Sequence, residues 1–154
     1  MNIRKAQPED HHALLAIWEQ SVRASHNFLS EQDISRLLIV VRDQALSCLE
    51  VWVLCDEADT PIGFMGLSGN KLEALFIAPS HFRQGAGKLM LHYARKLKGR
   101  LLVDVNEQNP QAVAFYLANG FALTHRSPTD AQGRPFALLH LLSAPFKQIR
   151  CIYF

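Results

Sequence analysis

Residues 71–98 read K-L-E-A-L-F-I-A-P-S-H-F-R-Q-G-A-G-K-L-M-L-H-Y-A-R-K-L-K, and this stretch decides the fold. The apolar run Ala74, Leu75, Phe76, Ile77 predicts a strand, and Gly85 and Gly87 let the chain turn with its amides exposed. Beyond them Ala86, Leu89, Met90, Tyr93, Ala94 and Leu97 recur at three- and four-residue steps, the stripe of an amphipathic helix. Gly99 ends that helix, with basic residues in its last turn. The first N–H groups of a helix lack partners and sit at the positive end of its dipole, so they attract anions. Strand, Gly-x-Gly turn and helix start together suggest a pyrophosphate cradle; taken alone, the same residues also suit a flexible turn before a surface helix.

Outward from this stretch the chain keeps alternating. Residues 101–105 predict a buried strand interrupted by one acid, Asp104. The segment 106–121, N-E-Q-N-P-Q-A-V-A-F-Y-L-A-N-G-F, predicts a helix capped by Asn109, started by Pro110 and stopped at Asn119-Gly120. Upstream, residues 2–6 predict a strand, and Leu14, Ile17, Trp18 and Val22 the apolar face of a first helix. Residues 25–30 break that pattern. Ser30 with Asp33 then caps a second helix carrying Ile34, Leu37, Leu38 and Val41. Strands follow at 49–55, 62–67 and 71–77, with turns at 56–59 and 68–70, and the chain closes with strands at 122–126 and 136–142 joined by a loop holding Asp130 and Gly133. The order β-α-α-β-β-β-α-β-α-β-β predicts a mixed α/β sheet in a single domain spanning 1–154, with 144–154 as a C-terminal extension that suits an edge strand, a packed tail or a dimer contact.

Composition narrows the function. With 154 residues, 49% hydrophobic content and a net charge of +2, the chain suits one globular domain. No apolar run approaches the ~20 residues needed to span a bilayer, and the N-terminal residues carry no secretory pattern, so a cytoplasmic protein with no membrane partner is expected. The weak charge makes nucleic acid an unlikely partner. Three cysteines without a C-x-x-C spacing and scattered histidines argue against a disulfide framework and against a metal site.

The strand, the Gly-x-Gly helix, the next strand and N-x-x-A-x-x-F-Y-x-x-x-G-F (residues 109–121) together resemble the GNAT superfamily of acetyl-CoA-dependent N-acetyltransferases. Finer details, S-V-R-A-S-H-N-F-L (21–29), V-N-E-Q-N (105–109) and R-S-P-T-D-A-Q-G-R-P (126–135), resemble its small bacterial YjaB-type members. The resemblance implies a central, mostly antiparallel sheet of six to seven strands flanked by about four helices. It also implies acetyl-CoA as co-substrate, an amine of a small molecule, peptide or protein lysine as acceptor, and a monomer or homodimer. A non-catalytic acyl-CoA-binding module and a toxin-like aminoacyl-tRNA acetyltransferase are the other readings. One departure stands out: where the family's phosphate loop opens with Gln or Arg, this chain has Phe82, and Arg83 comes one residue late.

The resemblance also assigns residues. Arg83, Gln84, Gly85, Ala86, Gly87 and Lys88 would surround the pyrophosphate. The backbone of Leu75, Phe76 and Ile77 would pair with the pantetheine amides, alongside Asn109 and Phe115. Tyr116 would be the general acid to the departing thiolate, since a phenol carries a suitable proton; Phe115 and Tyr116 equally suit two core aromatics. For the base, Glu73 and Asp104 are alternatives. Strand alternation puts Glu73 on one face with Lys71, Leu75 and Ile77, and burial is expected to raise the Asp104 carboxyl. His26, Phe28 and Trp52 are candidate walls of the acceptor pocket. No cysteine falls in these motifs, which favours direct transfer over a covalent intermediate.

Overall fold

A computed structural model describes residues 1–144; the expected extension beyond Ala144, Cys151 included, lies outside the described residues. Seven strands form one sheet: β1 Asn2–Lys5, β2 Glu50–Cys55, β3 Pro61–Ser68, β4 Lys71–Ile77, β5 Leu102–Asn106, β6 Phe121–Ser127 and β7 Leu138–Ser143. Four helices accompany them: α1 His11–Ser25, α2 Glu31–Val40, α3 Ala86–Lys98 and α4 Pro110–Ala118. Spatial order is β1-β2-β3-β4-β5-β7-β6, and β4 beside β5 is the one parallel junction among the described residues. Parallel neighbours need a crossover, and α3 supplies it. The chain order matches the sequence expectation, with boundaries shifted by a residue or two.

Local chemistry explains the elements. Arg4 on β1 grips Asp10 with two hydrogen bonds of 2.8 and 2.9 Å, while Asp10 also accepts the Gln7 N–H. This fixes the entry to α1. At α2, Ser30 and Asp33 cap each other's backbone at 3.1 and 3.0 Å, a reciprocal capping box. The second helix does not end cleanly: it loosens into a π-helical turn, Val41–Ala45, before a last α turn at Leu46–Cys48.

The sheet buries both faces. On one, α1 and α2 cover a core of Leu14, Trp18, Val53 and Phe64; on the other, α3 and α4 cover Met65, Met90, Leu91 and Val105. Each fully buried side chain of this size contributes about 1.5–3 kcal/mol. Strand alternation sorts β2 accordingly, Val51 and Val53 toward α1 and Trp52 toward α3.

One irregularity shapes everything that follows. The β3–β4 register slips between Gly66 and Leu67, which leaves an extra residue at Glu73 and reverses the parity of β4. Leu72 thereby shares a core with Leu75 and Ile77, and Glu73 does not share their face as simple alternation predicts. β5 pairs with β4 only at Lys71↔Leu102 and Leu72↔Val103. Beyond that point the two strands part.

Candidate active site

The gap between the parted strands is the candidate site. Its walls include Glu73, Ala74 and Phe76 from β4, Asp104 and Asn106 from β5, and His26, Asn109 and Tyr116 from beyond the sheet. Leu75, Val105 and Tyr116 belong to the α3–α4 core, whereas Ala74 and Phe76 pack with the α1–α2 core. The gap therefore passes through the sheet. Tyr116 approaches from one side, and the carboxylates lie toward the other.

Below the gap, the turn entering α3 has the conformation an anion cradle needs. Arg83 and Gly85 are both left-handed, with φ of 62° and 78°. Left-handed residues in such a turn draw successive N–H groups into a concave nest, here at the start of a helix. Phe82, Arg83, Gln84, Gly85 and Lys88 are exposed around it. Gly87 answers a different demand. A Cβ there would meet the Phe115 ring at 2.9 Å, so this glycine lets α3 and α4 close together.

Tyr116 is buried and packs edge-on against Phe115 and Phe121, each 5.2 Å away. Burial pushes its phenol well above the ordinary tyrosine value, which keeps it protonated. Asn109 is also buried: its Oδ1 accepts the Ala112 N–H, capping α4. With that oxygen committed, Nδ2 is the group that faces His26 Nε2 at 3.1 Å. His26 Nε2 is then the acceptor, and Nδ1–H donates to Ser25 Oγ at 2.8 Å. Burial lowers the His26 pKa, in keeping with this neutral ring. His26 packs at a tilt against Phe28 at 5.6 Å, and Phe28 against Phe136 at 6.3 Å, an aromatic run from the gap to the β6–β7 loop.

The carboxylates depart from expectation. Asp104 is not raised by burial. Desolvation does push it up, but Lys71 Nζ at 2.9 Å and His140 Nδ1 at 2.6 Å outweigh that effect and leave it below the usual carboxylate value. Both oxygens are engaged, one by each cation or donor. Glu73 is half-exposed and 3.6 Å from the same Lys71. Trp52 does not reach the gap: it packs edge-on against Tyr93 of α3 at 5.2 Å, with Nε1 donating to Glu50. His140 escaped the sequence reading, although A-L-L-H-L-L-S (137–143) carries the same signal as Asp104, one polar residue inside an apolar strand.

Among the described residues no helix is long and apolar enough to cross a membrane, and no group of acidic, histidine and cysteine side chains is placed to hold a metal.

A sheet split between β4 and β5, with a left-handed turn leading into the next helix, is the frame of an N-acetyltransferase, and the chain belongs to the GNAT N-acetyltransferase family. Residues 48–123 match the acetyltransferase (GNAT) domain model. The peptidyl-lysine N-acetyltransferase YjaB of Salmonella typhimurium is 43% identical over 142 residues, covering 92% of this chain and 97% of that protein. The solution structure of apo YjaB from Escherichia coli superposes with a TM-score of 0.86 at 41% identity, covering 93% and 98% of the two chains. The same fold recurs at 21% identity and a TM-score of 0.73 in the PaiA N-acetyltransferase of Thermoplasma acidophilum, solved with coenzyme A, over 92% of this chain and 97% of that one.

Proposed function

We propose that this protein transfers acetyl from acetyl-CoA directly to a primary amine, with the ε-amine of a lysine in a peptide or protein as its acceptor. The observation that carries the reading is the gap through the sheet, with a protonated phenol on one side and carboxylates on the other. Similarity to peptidyl-lysine N-acetyltransferases over nearly the whole chain points to the acceptor. A cytoplasmic setting follows from that substrate pair.

The residues present fit the donor. Backbone N–H groups from Gln84 to Lys88 would meet the pyrophosphate, with Arg83 exposed beside them in the place of the family's earlier basic or amide residue. The edge of Leu75, Phe76 and Ile77 left open by β5 has backbone groups to offer the pantetheine amides, and Asn109 and Phe115 flank the same path. Acetyl-CoA supplies an activated acyl group. The protein's task is to align it with the amine, hold the carbonyl oxygen against an N–H and protonate the thiolate. Tyr116 is the acid. Its high pKa makes full proton loss uphill in the resting site, so it stabilises the thiolate chiefly as a hydrogen-bond donor until the proton passes over. Glu73, half-exposed at the other side, attracts the acceptor ammonium.

Calorimetric titration with acetyl-CoA comes first, followed by turnover of lysine peptides and small amines with thiol release as readout. Micromolar binding with turnover of lysine peptides is the expected result. Binding without turnover of any amine would favour a non-catalytic binding module, and no binding would withdraw the reading.

A further inference from the structure

Beside the gap, on the face that carries Glu73, a polar row crosses four strands. Lys71 of β4 meets Asp104 of β5, Asp104 meets His140 of β7, and His140 stacks on His125 of β6 at 4.0 Å with 12° between the rings. The row ends at Ser127 Oγ, 2.7 Å from His140 Nε2. β5 and β7 are in register at Asp104↔His140, and β7 and β6 at Leu138↔Ser127. Neighbouring strands are thus enough to align all three side chains.

Proton positions follow from these distances. A carboxylate oxygen and an imidazole nitrogen 2.6 Å apart must share a proton, because two lone pairs would repel. His140 Nδ1 therefore carries hydrogen toward Asp104, and Nε2 presents its lone pair to the Ser127 hydroxyl. Thr124 Oγ1 donates to the His140 carbonyl at 2.9 Å and so accepts from His125 Nδ1 at 3.0 Å, which leaves the stacked ring no claim on His140 Nε2. Asp104 itself is a poor base. Its oxygens already serve Lys71 and His140, and its job is orientation.

We propose that His140 is the proton acceptor of the reaction, with Asp104 as its positioning residue and Ser127 as the link to the amine. This rests on the N-acetyltransferase reading above. An acceptor arriving along the His26–Phe28–Phe136 wall enters as an ammonium and must lose a proton before it can attack. Ser127 lies on β6, outside the gap, so the transfer belongs to the acceptor's passage along this face. One N–H bond of the ammonium breaks as its proton goes to Ser127 Oγ, while the Ser127 hydroxyl proton moves to His140 Nε2, and the amine enters the gap uncharged. Positive charge leaves the amine and appears on the imidazolium, where Asp104 balances it. That proton later passes to solvent. The remaining steps of acetyl transfer are unchanged. Besides Asp104, the titratable groups that face His140 are His125 from β6 and, through Asp104, Lys71 and Glu73 from β4.

The test compares a lysine peptide with a weakly basic amine that is already uncharged at the assay pH. His140→Gln is expected to lower kcat/KM for the peptide about a hundredfold and to leave a rate that keeps rising with pH toward the ordinary lysine value of about 10.4, because only the free amine can then react. The same variant should lose much less on the uncharged amine than on the peptide, with acetyl-CoA binding retained. Ser127→Ala should show the same selectivity with a smaller loss, about tenfold, because water can take the place of the hydroxyl. If His140→Gln does not fold, as judged by acetyl-CoA binding, Ser127→Ala decides alone. Equal losses on both amines, or none on either, overturn the proposal. A wild-type protein that binds acetyl-CoA yet acetylates no amine removes the enzyme reading and this one with it.

Discussion

Tyr116 packs the core and, in the proposed reaction, also supplies the acid. Its ring completes the α4 core against Phe115 and Phe121, and the residue borders the gap. Tyr116→Phe keeps the ring and removes only the proton donor. We expect kcat to fall about a hundredfold while acetyl-CoA affinity, measured by calorimetry, stays at the wild-type value. Equal losses in both would assign the residue to packing. Asp104 teaches the opposite lesson. A lone acid in an apolar strand reads as a carboxylate raised by burial, yet its neighbours reverse the sign, and those neighbours sit 33 and 36 positions away in sequence. Alternation within one strand cannot reveal such partners; only the register between strands can.

At the scale of elements, the two glycines at the start of α3, Gly85 at its cap and Gly87 in its first turn, have separate tasks, and substitutions should separate them. Gly85 is left-handed with open space around it. Gly85→Asp places an anion at the cradle and strains the turn, so acetyl-CoA binding should weaken about tenfold or more with the core intact. Gly87→Ala pushes a methyl into the Phe115 ring. It should cost about 1–3 kcal/mol of stability in urea unfolding, with a smaller effect on binding per folded molecule. Sequence made this element legible as strand, turn and helix because each part obeys local rules. Parity in β4 was not legible, since the slip at Gly66/Leu67 depends on how β3 lies against it. Trp52 was misplaced for a related reason: its face follows from β2 being covered on both sides, and a strand buried on both sides carries no polar alternation to read.

For the whole molecule, His26 ties the α1–α2 connection to the cap of α4 and spans the gap's outer edge. Its pKa in the folded protein lies below the ordinary 6.5 because burial disfavours the imidazolium. The unfolded chain therefore binds this proton more readily. The contribution is fully present above pH 6.5 and is lost as pH falls below 6.5 through the lower folded value. His26→Gln should flatten this part of the stability profile, read as urea midpoint between pH 7.5 and 5; an unchanged slope would show that His26 does not titrate differently on folding. The order of elements and the seven-stranded sheet were readable because hydrophobic periodicity is strong throughout. The gap itself was not, being a property of two strands that stop pairing.

That parting also sets how the backbone trades hydrogen with solvent. Along β4 beyond Leu72, alternate N–H groups face β3 and are held in its ladder, while those between them face an edge that β5 has left. Amides of the second kind should exchange rapidly in deuterated water and those of the first slowly, giving a sawtooth of protection along a single strand. Saturating acetyl-CoA should erase the sawtooth by occupying the open edge, and an inert strand would keep it. The break in the sheet would then act as an open strand edge, completed each turnover by a molecule that is not protein.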